Sequence, residues 1–338
     1  MPLSSIKLKF IAFLQVLLIS YTGWAYQPAN ENTGGEYHFV VAKDGSGDFQ
    51  YVQEAINAIP DFRKEETRIL IKVGIYKEKL ILPTSKTNVT FIGESRDKTV
   101  LTYDDYAQKL NKYGEEIGTT GSTSFFIFGD DFKAYNLTFE NSAGPVGQAV
   151  AVRVDGDRAV FVNCRFLGNQ DTLYLHGRNS RQYYKDCYIE GTTDFIFGWS
   201  TAVFEDCEIY CKEGGHYITA ASTEESSKYG FVFINCSITG DAPEESFYLG
   251  RPWRDHAQTV FISTEMASLI KPEGWHNWNK PHAEETVFYA EYNSKGEGAS
   301  KERIEWAKLL TAEEAKNFTV RKILGGTDNW NPAKSIKN

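Results

Sequence analysis

Basic residues are in short supply: Lys+Arg number 36 against 45 Asp+Glu, a formal net charge of −9. Nucleic-acid binders usually present a basic face, so this shortage argues against that partner. Proline is sparse too, at 10 residues. With 41% hydrophobic and 24% charged residues, the chain fits neither a collagen-like nor a disordered class. Beyond the amino terminus no segment is apolar enough to cross a bilayer. No Gly-x-Ser-x-Gly elbow occurs, which disfavours a serine hydrolase. The six histidines, at 38, 176, 216, 256, 276 and 282, show neither HExxH nor Cys/His ligand spacing. Metal catalysis is therefore disfavoured, and no cofactor is expected. What the chain does have is 22 Phe, 19 Tyr and 28 Gly, a mixture that suits short strands and tight turns better than a helical bundle.

The amino terminus reads as a processing signal. Lys7 and Lys9 precede the apolar run Phe10–Ile19, and small residues follow at Gly23 and Ala25. That run is short of the roughly 20 residues a spanning helix needs, so residues 1–25 are expected to be a signal peptide cleaved near Ala25. Residues 26–338 would then be a single domain, secreted or periplasmic, with no membrane span. Losing two lysines takes the charge from −9 to −11.

A repeat runs through the middle of the chain. Six segments begin with Asn or Asp and place a large apolar residue three positions later: Asn88, Asn136, Asn163, Asp186, Asp206 and Asn235 lead them, offset by 48, 27, 23, 20 and 29. A polar insertion from about Asp104 to Ser122 accounts for the first, long gap. A period in the twenties built of strands and turns predicts an all-β parallel β-helix, a single-stranded solenoid. The leucine-rich pattern of the competing solenoid is absent. Apolar residues at helical spacing within Phe49–Ile59 predict a helix over one open end, with Asp48 as its cap. Thr311–Glu314 reads as a capping box opening a second short helix.

Two carboxylates share a register in this repeat. Asp171 lies eight residues after Asn163, and Asp194 eight after Asp186. Adjacent rungs stack about 4.8 Å apart, so the two should be neighbours. Gln148 joins the same column if four extra residues fall within Ser142–Val146. Val150, Leu173 and Ile196 then form one apolar column, facing the core. Ala151, Tyr174 and Phe197 form the alternate, outward one. Strict alternation would bury both carboxylates, so a bend or bulge at the strand start is expected to aim them outward. Turn-capping is the simpler role for an aspartate at such a place, but it does not account for Gln170 beside Asp171.

Six motifs in order give the chain a family resemblance: DGSGDF at Asp44–Phe49, GIYKE at Gly74–Glu78, QAVA at Gln148–Ala151, GNQDTLY at Gly168–Tyr174, GTTDFIFG at Gly191–Gly198 and YLGRPW at Tyr248–Trp253. Over about Tyr37–Pro332 the sequence resembles the pectin methylesterases, departing at Gly147, where the family often has histidine. The resemblance implies a right-handed parallel β-helix that removes methyl esters from the galacturonate units of pectin. It implies Asp194 as nucleophile, Asp171 as acid and then base, Gln148 and Gln170 as oxyanion donors, and Arg251 as the partner that holds Asp194 ionised. Tyr174, Phe197 and Trp253 are candidates for stacking on sugar, with ordinary packing between rungs as their alternative. The partner would be methylated homogalacturonan, and a monomer is expected.

Cys164, Cys187, Cys207 and Cys236 occupy one repeat position, with Cys211 outside it. A ladder of buried free thiols would fill that column, but in an exported protein a Cys187–Cys207 disulfide across adjacent rungs is also within reach, and it is the expectation here. Two other functions remain open: another β-helix pectin enzyme, a polygalacturonase or lyase using Asp104, Asp105, Asp130 or Asp131, and a non-catalytic carbohydrate-binding solenoid.

Overall fold

Three parallel sheets run along the solenoid, with eleven, eight and seven strands; seven complete turns of the chain contribute one short strand to each, and the strands at the two ends extend the larger sheets. The computed structural model describes residues 37–335; the signal-peptide expectation for Met1–Ala25 lies outside them. One turn shows the plan: Ala159–Val162 joins the eleven-stranded sheet, Arg165–Leu167 the eight-stranded sheet and Leu173–Leu175 the seven-stranded sheet, before Arg181–Lys185 begins the next. This is the parallel β-helix that the repeat predicted.

The repeated Asn/Asp makes the corner between the first two strands. Asn136, Asn163, Asp186, Asp206 and Asn235 stand there with φ between 51° and 57°; Asn88 (φ 57°) lies off this column, because it precedes Val89–Gly93 of the eleven-stranded sheet, where Ile92 pairs with Tyr135 and Gly93 stands opposite Asn136. The left-handed region costs most side chains about 1–2 kcal/mol, and Asn and Asp pay least because their short polar groups bond locally. Ser263 (φ 51°) and Asn293 (φ 53°) continue the column through two further turns that the pattern search did not reach.

Inside the corner, side chains stack in columns set by the register. Phe161, Tyr184, Phe204, Phe233 and Phe261 are consecutive partners, with ring centroids 4.9, 4.7, 4.5 and 4.5 Å apart and planes within 13°. Those spacings are the strand separation itself, so one packing solution repeats along the axis. The cysteine column lies beside it. The Cys187–Cys207 bridge is not formed: all five cysteines are buried free thiols. The thiols of Cys187 and Cys207 donate to the carbonyls of Phe161 and Tyr184 on the preceding turns, 3.5 Å away in each case, which turns each sulfur toward main chain rather than into a bridge.

The helix over the open end spans Val52–Ala58 and buries Val52, Ala55 and Ile56 in the core. Its cap differs from expectation. Glu78, from the next turn, accepts from Val52 N and Gln53 N at 2.9 and 3.0 Å, while Asp48 accepts from Val40 N. A carboxylate that holds two amides answers the helix end better than one adjacent in sequence. The predicted capping box is present at Thr311 and Glu314, opening Ala312–Ala315. A further helix, Val320–Leu324, lays Ile323 and Leu324 on the outer face of the eleven-stranded sheet.

Candidate active site

The seven-stranded sheet carries the polar column, and its register differs from the sequence alignment. Gln148 bridges to Gln170 rather than to Asp171, and Leu173 pairs with Val152, not with Val150. Tyr174 therefore stands beside Arg153. Val150 leaves the core column and packs with Tyr174, Phe197 and Ala220 beneath Trp253 and Trp278. The slip arises because the segment between Gln148 and Val152 is not a regular strand, so counting residues does not count rungs.

Backbone irregularity is also what aims the carboxylates. Asp171 and Asp194 have φ of 65° and 50°, and the pairing next to Asp194 shifts register between Thr193 and Ile196. Each aspartate is followed by a side chain turned inward. Thr172 is fully buried and donates to main chain, and Phe195 joins the core. Two successive left-handed aspartates thus lift their carboxyls out of the sheet, as the predicted bulge required.

Both carboxyls face a cleft of about 610 Å³ that also takes in Gln148, Gln170, Tyr174, Phe197, Arg251 and Trp253. All eight candidate residues therefore meet in one place. Asp194, 6% exposed, receives a two-pronged contact from Arg251, Nε to Oδ1 at 2.9 Å and Nη2 to Oδ2 at 2.6 Å. The guanidinium is itself held between two rings, 3.9 Å from the Tyr217 centroid and 3.7 Å from that of Trp278. Such a sandwich fixes the plane of the fork and screens it from water.

The two aspartates differ in electrostatics. Burial pushes the Asp171 carboxyl well above its ordinary value, and the Asp194 charge adds to the shift, with Arg251 opposing it. Burial raises Asp194 as well, but there the direct Arg251 hydrogen bonds oppose the shift. The Arg251 contacts thus favour the ionised form at Asp194 over that at Asp171. Among the described residues no side chain hydrogen-bonds the Asp171 carboxyl, which leaves it free for a molecule in the cleft.

The aromatic candidates divide by role. Tyr174 and Phe197 stack on each other at 4.2 Å and are 5% and 4% exposed, so they form the floor. Trp253 tilts over both rings at 6.1 and 5.9 Å and, half-buried, lines the cleft. Trp278 and Tyr217 prove to be the clamp on Arg251, whereas Trp275 is buried in the core. Sequence reasoning assigned no role to these last three. It also missed the insertion: Ile117, Gly118, Thr119 and Thr120 line the cleft, and Gln108 donates to Gln148. The other acidic pairs are occupied elsewhere. Lys77 binds Asp104, Lys79 and Lys109 bind Asp105, Arg158 binds Asp131, and Asp130 accepts from Asp157 N.

A solenoid bearing a buried carboxylate pair in a cleft on its flank, with one member clamped by an arginine and the other free of side-chain partners, defines a β-helix protein with a paired-aspartate site. The comparisons narrow this. The family model for Pectinesterase matches residues 38–327. Pectinesterase 31 of Arabidopsis thaliana is 45% identical over 285 residues, covering 82% of this chain and 89% of that protein. The pectin methylesterase of carrot superposes with a TM-score of 0.81 at 35% identity, over 90% of this chain and 98% of that one. A pectin methylesterase in complex with a hexasaccharide gives 0.76 at 33% identity, over 88% and 99%. The chain belongs to the pectinesterase family.

Proposed function

We propose that the cleft hydrolyses the methyl esters of galacturonate units in pectin, releasing methanol and leaving a free carboxylate. The observation that carries this reading is the asymmetry of the pair, Asp194 bound on both oxygens by Arg251 and Asp171 raised and unpartnered. Asp194 attacks the ester carbonyl, and the NH₂ groups of Gln148 and Gln170 hold the oxyanion that forms. Collapse breaks the bond to the methoxy oxygen, which leaves as methanol with the proton of Asp171. Asp171, now a carboxylate, takes a proton from water; the resulting hydroxide attacks the acyl carbon and frees Asp194. Each proton and bond is then restored. Trp253, which lines the cleft, offers its ring for packing against a sugar.

Asp104, Asp105, Asp130 and Asp131 do not line the cleft, so among the described residues it holds no second carboxylate set for a chain-cutting reaction. Pectin is a wall polymer, so the basic-then-apolar amino terminus supports export to it. A mature charge of −11 favours a highly methylated, nearly neutral substrate over a de-esterified polyanion. On methylated pectin, methanol and acid should appear in equal amounts with no new reducing ends and no unsaturated product. New chain ends would point to a glycosidase or lyase, and binding without turnover to a binding solenoid.

Arg251 supplies a sharper test. A lysine there keeps one charge but loses the fork and the flat stack between Tyr217 and Trp278. Arg251→Lys should lower kcat by about 10²-fold. It should also move the acidic limb of the pH–rate profile upward, because burial then raises Asp194 with less opposition. An unchanged acidic limb would remove Arg251 from this role.

A further inference from the structure

We propose that Gln108 is a positioning residue for the hydrolysis, holding the Gln148 carboxamide with its NH₂ turned toward the reacting ester carbonyl. The inference rests on the reading of Gln148 as an oxyanion donor. A carboxamide has one accepting end and one donating end, and a half-turn exchanges them. An oxyanion needs the donating end. Gln148 Oε1 accepts from Gln108 Nε2 at 3.0 Å, so the oxygen is engaged and the nitrogen lies on the other side. Among the described residues the Gln148 nitrogen has no partner, and Gln148 lines the cleft.

The surroundings are built around this contact. Gly147, immediately before Gln148, has φ of 102°, and a Cβ there would stand 3.1 Å from Gln108 Oε1 and 3.3 Å from its Nε2. The Gln108 amide thus occupies the space that a side chain at position 147 would need. Gln108 sits on the insertion between two fixed points. Ala107 N donates to Gln148 O at 2.9 Å, and Asp105 is bound by Lys79 at 2.5 Å and Lys109 at 2.6 Å. Asn141, nearly fully buried, ties both ends of the insertion by donating to Asp105 O and Ser122 O. Gln108 is exposed, so water competes for its bond in the open cleft. A substrate seated against Gln148 excludes water from one side and strengthens it.

The test reverses the polarity of the contact. In Gln108→Glu the carboxylate only accepts, which draws the Gln148 NH₂ away from the oxyanion. The expected result is a loss of kcat approaching that of Gln148→Ala, about 10²-fold, with KM within about twofold. Gln108→Lys, which only donates, should recover at least tenfold over the Glu variant. In the double variant Gln108→Glu/Gln148→Ala, the second change should add little to the first. Rates are taken at the plateau of each pH profile, so that the added charges do not act through the aspartates, and Tm confirms folding. Equal losses in the Glu and Lys variants, a loss confined to KM, or wild-type kcat in Gln108→Glu would each overturn the proposal. If Gln148→Ala is itself as fast as wild type, the oxyanion reading falls and the positioning role with it. If Gln148→Ala is slow and Gln108→Glu is not, the positioning role alone falls.

Discussion

Asp194→Ala is expected to abolish methanol release, a loss on the order of 10⁴-fold or more, while the β-helix stays folded. The size follows from the role, since no other carboxylate at the site is held ionised by a fork of donors. Water would then have to attack the ester directly, with Asp171 and the two carboxamides left to assist but no nucleophile on the chain. Folding should survive because the core columns lie on the opposite side of the sheet and Arg251 keeps its two rings. The substitution also removes the charge that helps raise Asp171, whose pKa should fall toward the ordinary range. Methanol release, circular dichroism and an NMR titration of Asp171 check these points. Turnover at the wild-type rate would refute Asp194 as nucleophile.

Asp171→Asn is expected to lower kcat by about 10²- to 10⁴-fold, the usual contribution of a general acid–base group. It should also erase the alkaline limb of the pH–rate profile. Under the proposed mechanism that limb would mark the loss of the Asp171 proton as pH rises through its elevated pKa, and the acidic limb the protonation of Asp194 as pH falls. Stability should move the other way from activity. The folded-state pKa of Asp171 lies well above its ordinary value of 3.8, so between those two values the folded chain binds more protons than the unfolded one, and stability declines as pH rises through that window. A neutral amide carries no such penalty. Asp171→Asn should therefore raise Tm at pH 7 by about 1–3 °C while activity is lost, a trade typical of functional sites. A calorimetric scan and a pH–rate series test both halves. A profile that keeps its alkaline limb would assign the acid to another group.

Much of this site was legible before the structure. The recurring Asn/Asp announced a solenoid because one corner, repeated in successive turns from Asn136 onward, needs a residue that tolerates positive φ. Asp171 and Asp194 were visible as a pair because both follow that corner by the same count, with no irregularity between. The count failed at Gln148, whose segment pairs one residue off, and at Val150, which turned out to lie beneath the cleft. It failed also for Cys187 and Cys207, since vertical stacking puts two residues side by side without deciding where their sulfurs point.

What the sequence determined by itself is what composition and local repetition carry: the stacked rungs, the paired carboxylates turned away from the core column, and a charge balance that argues against a nucleic-acid partner. What only the tertiary structure decided is everything carried by contacts between distant turns. Arg251 reaches Asp194 across 57 positions, Trp278 and Tyr217 close on its guanidinium, and an insertion that looked like a surface loop delivers Gln108 to Gln148 across 40. Local repetition repeats a backbone conformation and so leaves a pattern in the chain. A contact between one loop and one rung occurs once and has no period, so only the folded molecule records it.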